Sequence, residues 1–291
     1  MKRIGIIPNI IKDEKLAMTQ KSLGWFEDNG FKVQVTPTIG RQLKRNDISV
    51  EENELYASSD AIVVLGGDGT LLGVAKKAAL KEVPIIGVNL GRLGFLTDIE
   101  KDTALTSFEK LLTGDFYIEH RMMLEVSIIS QDSKEQKFLA LNDVSITRDS
   151  YTRMINYGIY INGQYADVYP ADGVIVATPT GSTAYSLSAG GPIVDPKANI
   201  MVVTPICPHT IYSRSMIVSE QDTVEIIIPK LQGGSVGVSI DGQKVYSIKP
   251  KDIVKVSKSK TTSRLLKLSE CNFYDILRNK IVERRPGIGE D

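Results

Sequence analysis

Ala61–Leu65 (AIVVL) runs without a polar break into Gly66-Gly67-Asp68-Gly69-Thr70 and then into Leu71–Leu80. A strand with no polar alternation has no face to offer water. It belongs inside a parallel sheet covered on both sides by helices. The glycines then allow a tight turn into a short helix, which makes a βα unit. The residues before and after repeat the theme. Arg3–Ile7 reads as a buried strand closed by Pro8, and Lys12–Asn29 reads as a helix with Leu16, Thr19, Leu23 and Phe26 on one face and Gly30 as its stop. Phe31–Val35 and Pro84–Leu90 read as further strands, and the polar stretch 40–58 as a loop or short helix.

Near residue 122 the pattern changes to short strands. These are Leu124–Ser130, Phe138–Thr147, Met154–Ile161, Gln164–Tyr169, Val174–Thr178, Met201–Ile206, Thr223–Pro229, Ser235–Ile240, Lys244–Ile248, Asp252–Val256 and Arg264–Leu268. Asn162-Gly163 and Asp241-Gly242 sit between alternating segments, where a two-residue type I′ turn needs positive φ twice. Many short strands with tight turns predict a β-sandwich. Asn272–Ile281 reads as a last helix, 283–291 as a polar tail, and 98–121 as the linker. The fold class is therefore α/β plus β.

Composition narrows the function classes. Of 291 residues, 42% are apolar and 24% charged, which is ordinary for a globular chain and excludes disorder as the main state. Lys plus Arg and Asp plus Glu are each 35, so no net charge speaks for nucleic acid or an anionic membrane. Ile4–Ile7 is too short and too soon interrupted for a signal h-region, and no stretch approaches the ~18 apolar residues of a membrane span. Cys207 and Cys271 fit no metal spacing and no disulfide framework, so a cytoplasmic setting is expected. His120 and His209 are the only histidines, which excludes a multi-histidine metal site.

The chemistry centres on Gly66–Thr70. A glycine turn that opens a helix offers unpaired N–H groups and the positive end of a dipole to an anion. It is neither a G-x-G-x-x-G fingerprint nor a Walker loop. Asp68 would repel a bare polyphosphate, so it makes sense facing Mg²⁺ or accepting a proton from a hydroxyl. The alternative is a plain turn with Asp68 as a helix cap. Asp172-Gly173 and the hydroxyl-rich Thr178–Pro192 offer donors and acceptors for ribose and phosphate oxygens, with Tyr185 able to pack on a flat base. The alternative there is a Ser/Thr-rich surface turn. Asn142-Asp143 places two polar groups within an apolar strand, paired, used or simply exposed. Asn89–Leu96 (NLGRLGFL) reads as a glycine-hinged loop at the C-terminal edge of a sheet, where ligands bind in α/β folds.

Together these segments resemble the NAD kinase family. GGDGT alone is shared with phosphofructokinases and diacylglycerol-type lipid kinases, but GGDGT followed by NLGRLGFLTD, LNDV and TPTGSTAYSLSAGGP is far more specific. The resemblance implies transfer of the γ-phosphoryl of ATP, with Mg²⁺ or another divalent cation, to the 2′-hydroxyl of the adenosine ribose of NAD. It implies a Rossmann-like N-terminal domain over 1–105, joined by a returning C-terminal helix (270–291), and a β-sandwich domain over 120–269. The active site would lie between the domains, in a homodimer or homotetramer. Carried over by position, Asp68 is the proton acceptor and contacts NAD with Gly69. Asn142 and Asp143 bind the dinucleotide, as do Arg153 and Asp172. Thr183, Ala184, Tyr185, Ser186, Leu187 and Ser188 wrap it, with Tyr185 near the base, and Gln243 adds a further contact. The chain departs from some members at Pro170 and Gly73, where they carry basic residues. Two rivals stand beside this reading: a lipid or sugar kinase sharing the GGDGT loop, and a non-catalytic dinucleotide sensor.

Overall fold

A computed structural model describes residues 1–148, 154–210, 212–230, 235–268 and 272–283. The chain divides into two compact units. The first comprises Met1–His120 and the chain from Ser263 onward, the second Arg121–Thr262.

The first unit is built on a seven-stranded sheet. Arg3–Pro8 lies parallel between Lys32–Val35 and Ala61–Gly66, and Ala61–Gly66 lies parallel to Ile85–Asn89. All six residues of Ala61–Gly66 and all five of Ile85–Asn89 are buried, which is why neither alternates. Helix Ala17–Asp28 packs Leu23 and Phe26 inward, and Gly30 (φ +80°) follows it. Phe26 and Phe108 meet with ring centroids 4.8 Å apart, and Trp25 and Phe31 complete the aromatic cluster.

The first unit holds two segments that the sequence expectation placed outside it. The stretch 98–121 is no linker. It carries helix Ala104–Thr113, which buries Ala104, Phe108 and Leu111, and strand Tyr117–Arg121 at the edge of the same sheet. Glu109 and Lys110 lie on the open side of this amphipathic helix, while Asp98 and Arg121, outside it, are buried. Ser263–Lys267 also belongs to the first sheet, where Leu265 pairs in parallel with Ile85. The consecutive buried Leu265 and Leu266 are the parallel-sheet pattern, easily lost behind a run of alternating strands.

The second unit is a sandwich of two six-stranded antiparallel sheets. Both sheets feed one core, with Val126, Tyr157, Ile226 and Val256 from one and Val144, Val174, Val203 and Val238 from the other. Asn162-Gly163 (φ 52° and 77°) and Asp241-Gly242 (φ 49° and 79°) both adopt the positive φ pair expected of their hairpin turns. No helix among the described residues is long and apolar enough to cross a membrane.

Candidate active site

The strand Ala61–Gly66 ends at Gly67, and helix Asp68–Leu80 begins. Asp68 does not cap its own helix. Its Oδ2 accepts the N–H of Phe95 at 2.8 Å, and its Oδ1 accepts the N–H of Leu96 at 3.0 Å, the N–H of Thr97 at 3.1 Å and the Thr97 hydroxyl at 3.0 Å. A carboxylate oxygen has about two lone-pair directions. Oδ1 is therefore saturated, and Oδ2 keeps one direction open for a proton or a cation. The approach is so close that a side chain on Gly94 would overlap Asp68 Oδ1, so glycine is required there. Asn89 Nδ2 donates to Thr97 Oγ1 at 2.9 Å, tying the loop to its own strand. Behind the loop, Phe95 packs on Phe273 of helix Phe273–Glu283 (centroids 5.8 Å apart), with Lys280 Nζ 4.7 Å over its ring. Asp98 is held by Lys267 at 3.1 Å, both side chains buried. The N–H groups of Asp68 and Gly69 open the helix, where no intrahelical carbonyl is in reach.

In the second unit, Phe138–Thr147 is not one strand. Glu135–Ala140 belongs to one sheet and Asp143–Arg148 to the other, so Leu141-Asn142 is the corner at which the chain changes sheets. Asn142 sits at this corner, whereas Asp143 opens strand Asp143–Arg148, pairs with Ala177 and is buried. The corner is fixed by Asp241, whose carboxylate accepts the N–H groups of Leu141 (2.9 Å), Asn142 (2.8 Å) and Asp143 (3.1 Å). Thr178 Oγ1 donates to the Leu141 carbonyl at 2.6 Å and accepts the N–H of Gly181 at 3.0 Å. Gly181 lies so flat on the Asn142 backbone that any side chain would overlap it.

Asp143 is buried, and its carboxyl is pushed up to about 7, first by loss of water and then by the neighbouring Asp241 charge. A raised carboxyl favours the neutral fold. The stability it contributes is full below about pH 4 and is lost as pH climbs through about 7. Asp143→Asn should therefore flatten this loss. In urea titrations between pH 4 and pH 8 the wild type should weaken relative to the variant; parallel profiles would contradict it.

Within Thr178–Pro192 the hydroxyls separate into two groups. Ser182 Oγ donates to the Pro179 carbonyl at 2.7 Å and accepts the Val194 N–H at 3.1 Å, and Ser186 Oγ pairs with Thr204 Oγ1 at 2.9 Å. These hold the loop's shape, as a turn-forming reading expects. Thr183, Ala184 and Leu187 are half-buried, Ser188 is exposed, and Tyr185 keeps 43% of its surface open. The Tyr185 hydroxyl is raised by burial first, then by the charges of Cys207, Asp143 and Asp172. Asp172 Oδ1 accepts Arg148 Nε at 2.9 Å, and its carbonyl accepts the Tyr157 hydroxyl at 3.1 Å. Gln243 is exposed at the start of strand Gln243–Ile248. Arg153 lies outside the described residues.

Comparison with known proteins now fits this geometry. The ATP-NAD kinase N-terminal domain matches residues 4–116, and the ATP-NAD kinase C-terminal domain matches residues 141–268. The chain belongs to the ATP-NAD kinase family. Among curated relatives, the NAD kinase of Caldanaerobacter subterraneus subsp. tengcongensis is 44% identical, covering 98% of this chain and 100% of the relative. That of Acetivibrio thermocellus is 38% identical, covering 98% of each. Among solved structures, yeast NADH kinase complexed with NADH superposes with a TM-score of 0.88 at 24% identity, covering 100% of this chain and 90% of that one. An NAD kinase from Archaeoglobus fulgidus in complex with ATP gives 0.73 at 25% identity, covering 97% and 98%.

In this ATP-NAD kinase chain, Asp68 and Gly69 lie on the first unit, and Asn142, Asp143, Asp172 and Tyr185 on the second. Sequence reasoning missed Asp241 as the clamp of the Asn142 corner and Arg148 as the partner of Asp172. Asp241 reads as a turn residue, and nothing local says that its carboxylate reaches residues a hundred positions earlier. Arg148 closes a strand and looks like an edge charge.

Proposed function

We propose that this protein transfers the γ-phosphoryl group of ATP to the 2′-hydroxyl of the adenosine ribose of NAD, yielding NADP and ADP. The observation that carries the reading is Asp68, a carboxylate with one oxygen saturated and the other open, set at a helix N-terminus in a chain that matches both halves of the ATP-NAD kinase family. The amides of the Gly67–Gly69 turn bind the donor's phosphates, and the open Oδ2 of Asp68 takes the proton of the attacking hydroxyl. Phosphoryl transfer has a loose transition state, so positioning and charge neutralisation supply most of the rate. Asn142, Asp143 and Asp172 hold the dinucleotide, Thr183–Ser188 wrap it, and Gln243 adds a contact from the far side of the Asp241 turn.

A divalent cation fits these residues in a limited way. Among the described residues no group of three or more His, Cys, Asp or Glu side chains could hold one, and Asp68 is the carboxylate at the glycine turn. That suits Mg²⁺, which keeps waters and substrate phosphates as its main ligands. When bound, it neutralises charge on the β- and γ-phosphates. The family likeness further supports a homo-oligomer, dimer or tetramer, which light scattering on the purified protein resolves. The exposed free thiol of Cys207 suits a reducing cytoplasm.

The test is a transfer assay with γ-labelled ATP and three acceptors: NAD, diacylglycerol and fructose 6-phosphate. Label should pass to NAD alone. Transfer to the lipid or sugar would favour the rival kinases, and binding of NAD without any transfer would favour a sensor. A second prediction concerns Tyr185. If its ring packs on the dinucleotide, Tyr185→Ala should raise KM for NAD about tenfold, from a stacking loss of ~1–3 kcal/mol per base. KM for ATP should stay nearly constant, and an equal rise in both would reject the stacking role.

A further inference from the structure

We propose that Lys12 is a phosphate-binding residue for the donor, its ammonium group completing the Gly67–Gly69 turn as an anion site. This deepens the kinase reading and rests on it. Lys12 comes from a different segment of the chain, the loop after strand Arg3–Pro8, and nothing in the GGDGT motif points to it.

The loop is built onto the turn. Asn9 N–H donates to the Leu65 carbonyl at 2.7 Å, extending the strand pairing to the threshold of the glycines. Asn9 Nδ2 donates to Thr70 Oγ1 at 2.9 Å, bridging directly to the last residue of the motif. Asn9 Oδ1 accepts the N–H groups of Ile11 and Lys12, both at 3.1 Å, so the same side chain sets the path of the loop. The result puts Lys12 Nζ 3.1 Å from the point where a Cβ on Gly67 would stand. The absent side chain at Gly67 thus leaves its space to an ammonium group at the mouth of the helix.

That charge is not there to neutralise a neighbour. The buried Asp13 carboxylate faces its own helix, accepting the N–H of Met18 at 2.8 Å and of Thr19 at 2.9 Å. The Asp68 carboxylate is turned to residues 95–97. Lys12 itself is exposed, so its long stem can follow a ligand. A mobile point charge beside unpaired helix amides suits the oxygens of a polyphosphate chain. Inorganic polyphosphate and the triphosphate of ATP share that chemistry.

The test compares wild type, Lys12→Gln and Lys12→Arg in NADP formation. Lys12→Gln should raise KM for ATP roughly tenfold or more, the worth of one charge-assisted contact, with KM for NAD within twofold of wild type. Lys12→Arg should recover most of the loss. Inhibition by inorganic tripolyphosphate should weaken by the same factor in Lys12→Gln, whereas inhibition by adenosine should not change. A tripolyphosphate effect smaller than the ATP effect would mean that Lys12 reads the nucleoside, and would overturn the proposal. So would an unchanged KM for ATP, or a rise in both KM values together with a lower Tm, which marks a merely structural role. If wild type itself forms no NADP, the kinase reading fails; if wild type is active and Lys12→Gln equals it, Lys12 alone fails.

Discussion

Asp68→Asn should lower kcat for NADP formation by about 10²–10⁴-fold while the circular dichroism spectrum stays that of wild type. The geometry refines this expectation. Asn keeps an oxygen for the three donors that converge on Oδ1, so the loop over residues 95–97 stays tethered. The amide nitrogen then takes the place of Oδ2, faces the N–H of Phe95 and has no lone pair for a proton. One unmet backbone donor costs about 1–3 kcal/mol, so Tm should fall by a few degrees only. An Asp68→Asn enzyme with wild-type kcat would remove Asp68 from the reaction. Loss of folding would mean that its main duty is to anchor the loop.

The second large effect is on stability. Lys267→Met should destabilise the protein by about 3–5 kcal/mol, because it leaves Asp98 charged and buried without its ammonium partner. At this chain length that is a drop in Tm of roughly 10 °C. Lys267→Met combined with Asp98→Leu should recover at least half, since an apolar pair of similar size replaces a buried ion pair with little loss. The single variant should also lose activity below its Tm, because Asp98 follows directly on the residues that hold Asp68. A Tm within two or three degrees of wild type would show that the pair contributes little.

The sequence carried much of this, for identifiable reasons. Ala61–Leu65 and Pro84–Leu90 read correctly as buried parallel strands because full burial leaves an unbroken apolar run. The two hairpin turns were legible because asparagine or aspartate followed by glycine is nearly the only solution to positive φ twice. Long-range partnerships were not legible. Nothing near Leu265 says that its neighbour is Ile85, and nothing near Asp241 says that it binds the amides of 141–143. The corner at Leu141-Asn142 was hidden for a related reason: a chain that passes from one sheet to the next keeps its apolar alternation through the bend. In the hydroxyl-rich loop, composition marked a segment dense in hydroxyls and glycines. It did not separate Ser182 and Ser186, whose hydroxyls are bonded inside the loop, from Tyr185 and Ser188, which face outward.

The most direct measurement is to incubate the purified protein with NAD, ATP and Mg²⁺ and identify the product by phosphorus NMR and by its use in an NADP-specific dehydrogenase. The account predicts one new phosphomonoester on the adenosine 2′-oxygen, ADP in equal amount, and almost none of either with Asp68→Asn. ATP consumed without that ester, or NAD bound and returned unchanged, would contradict it.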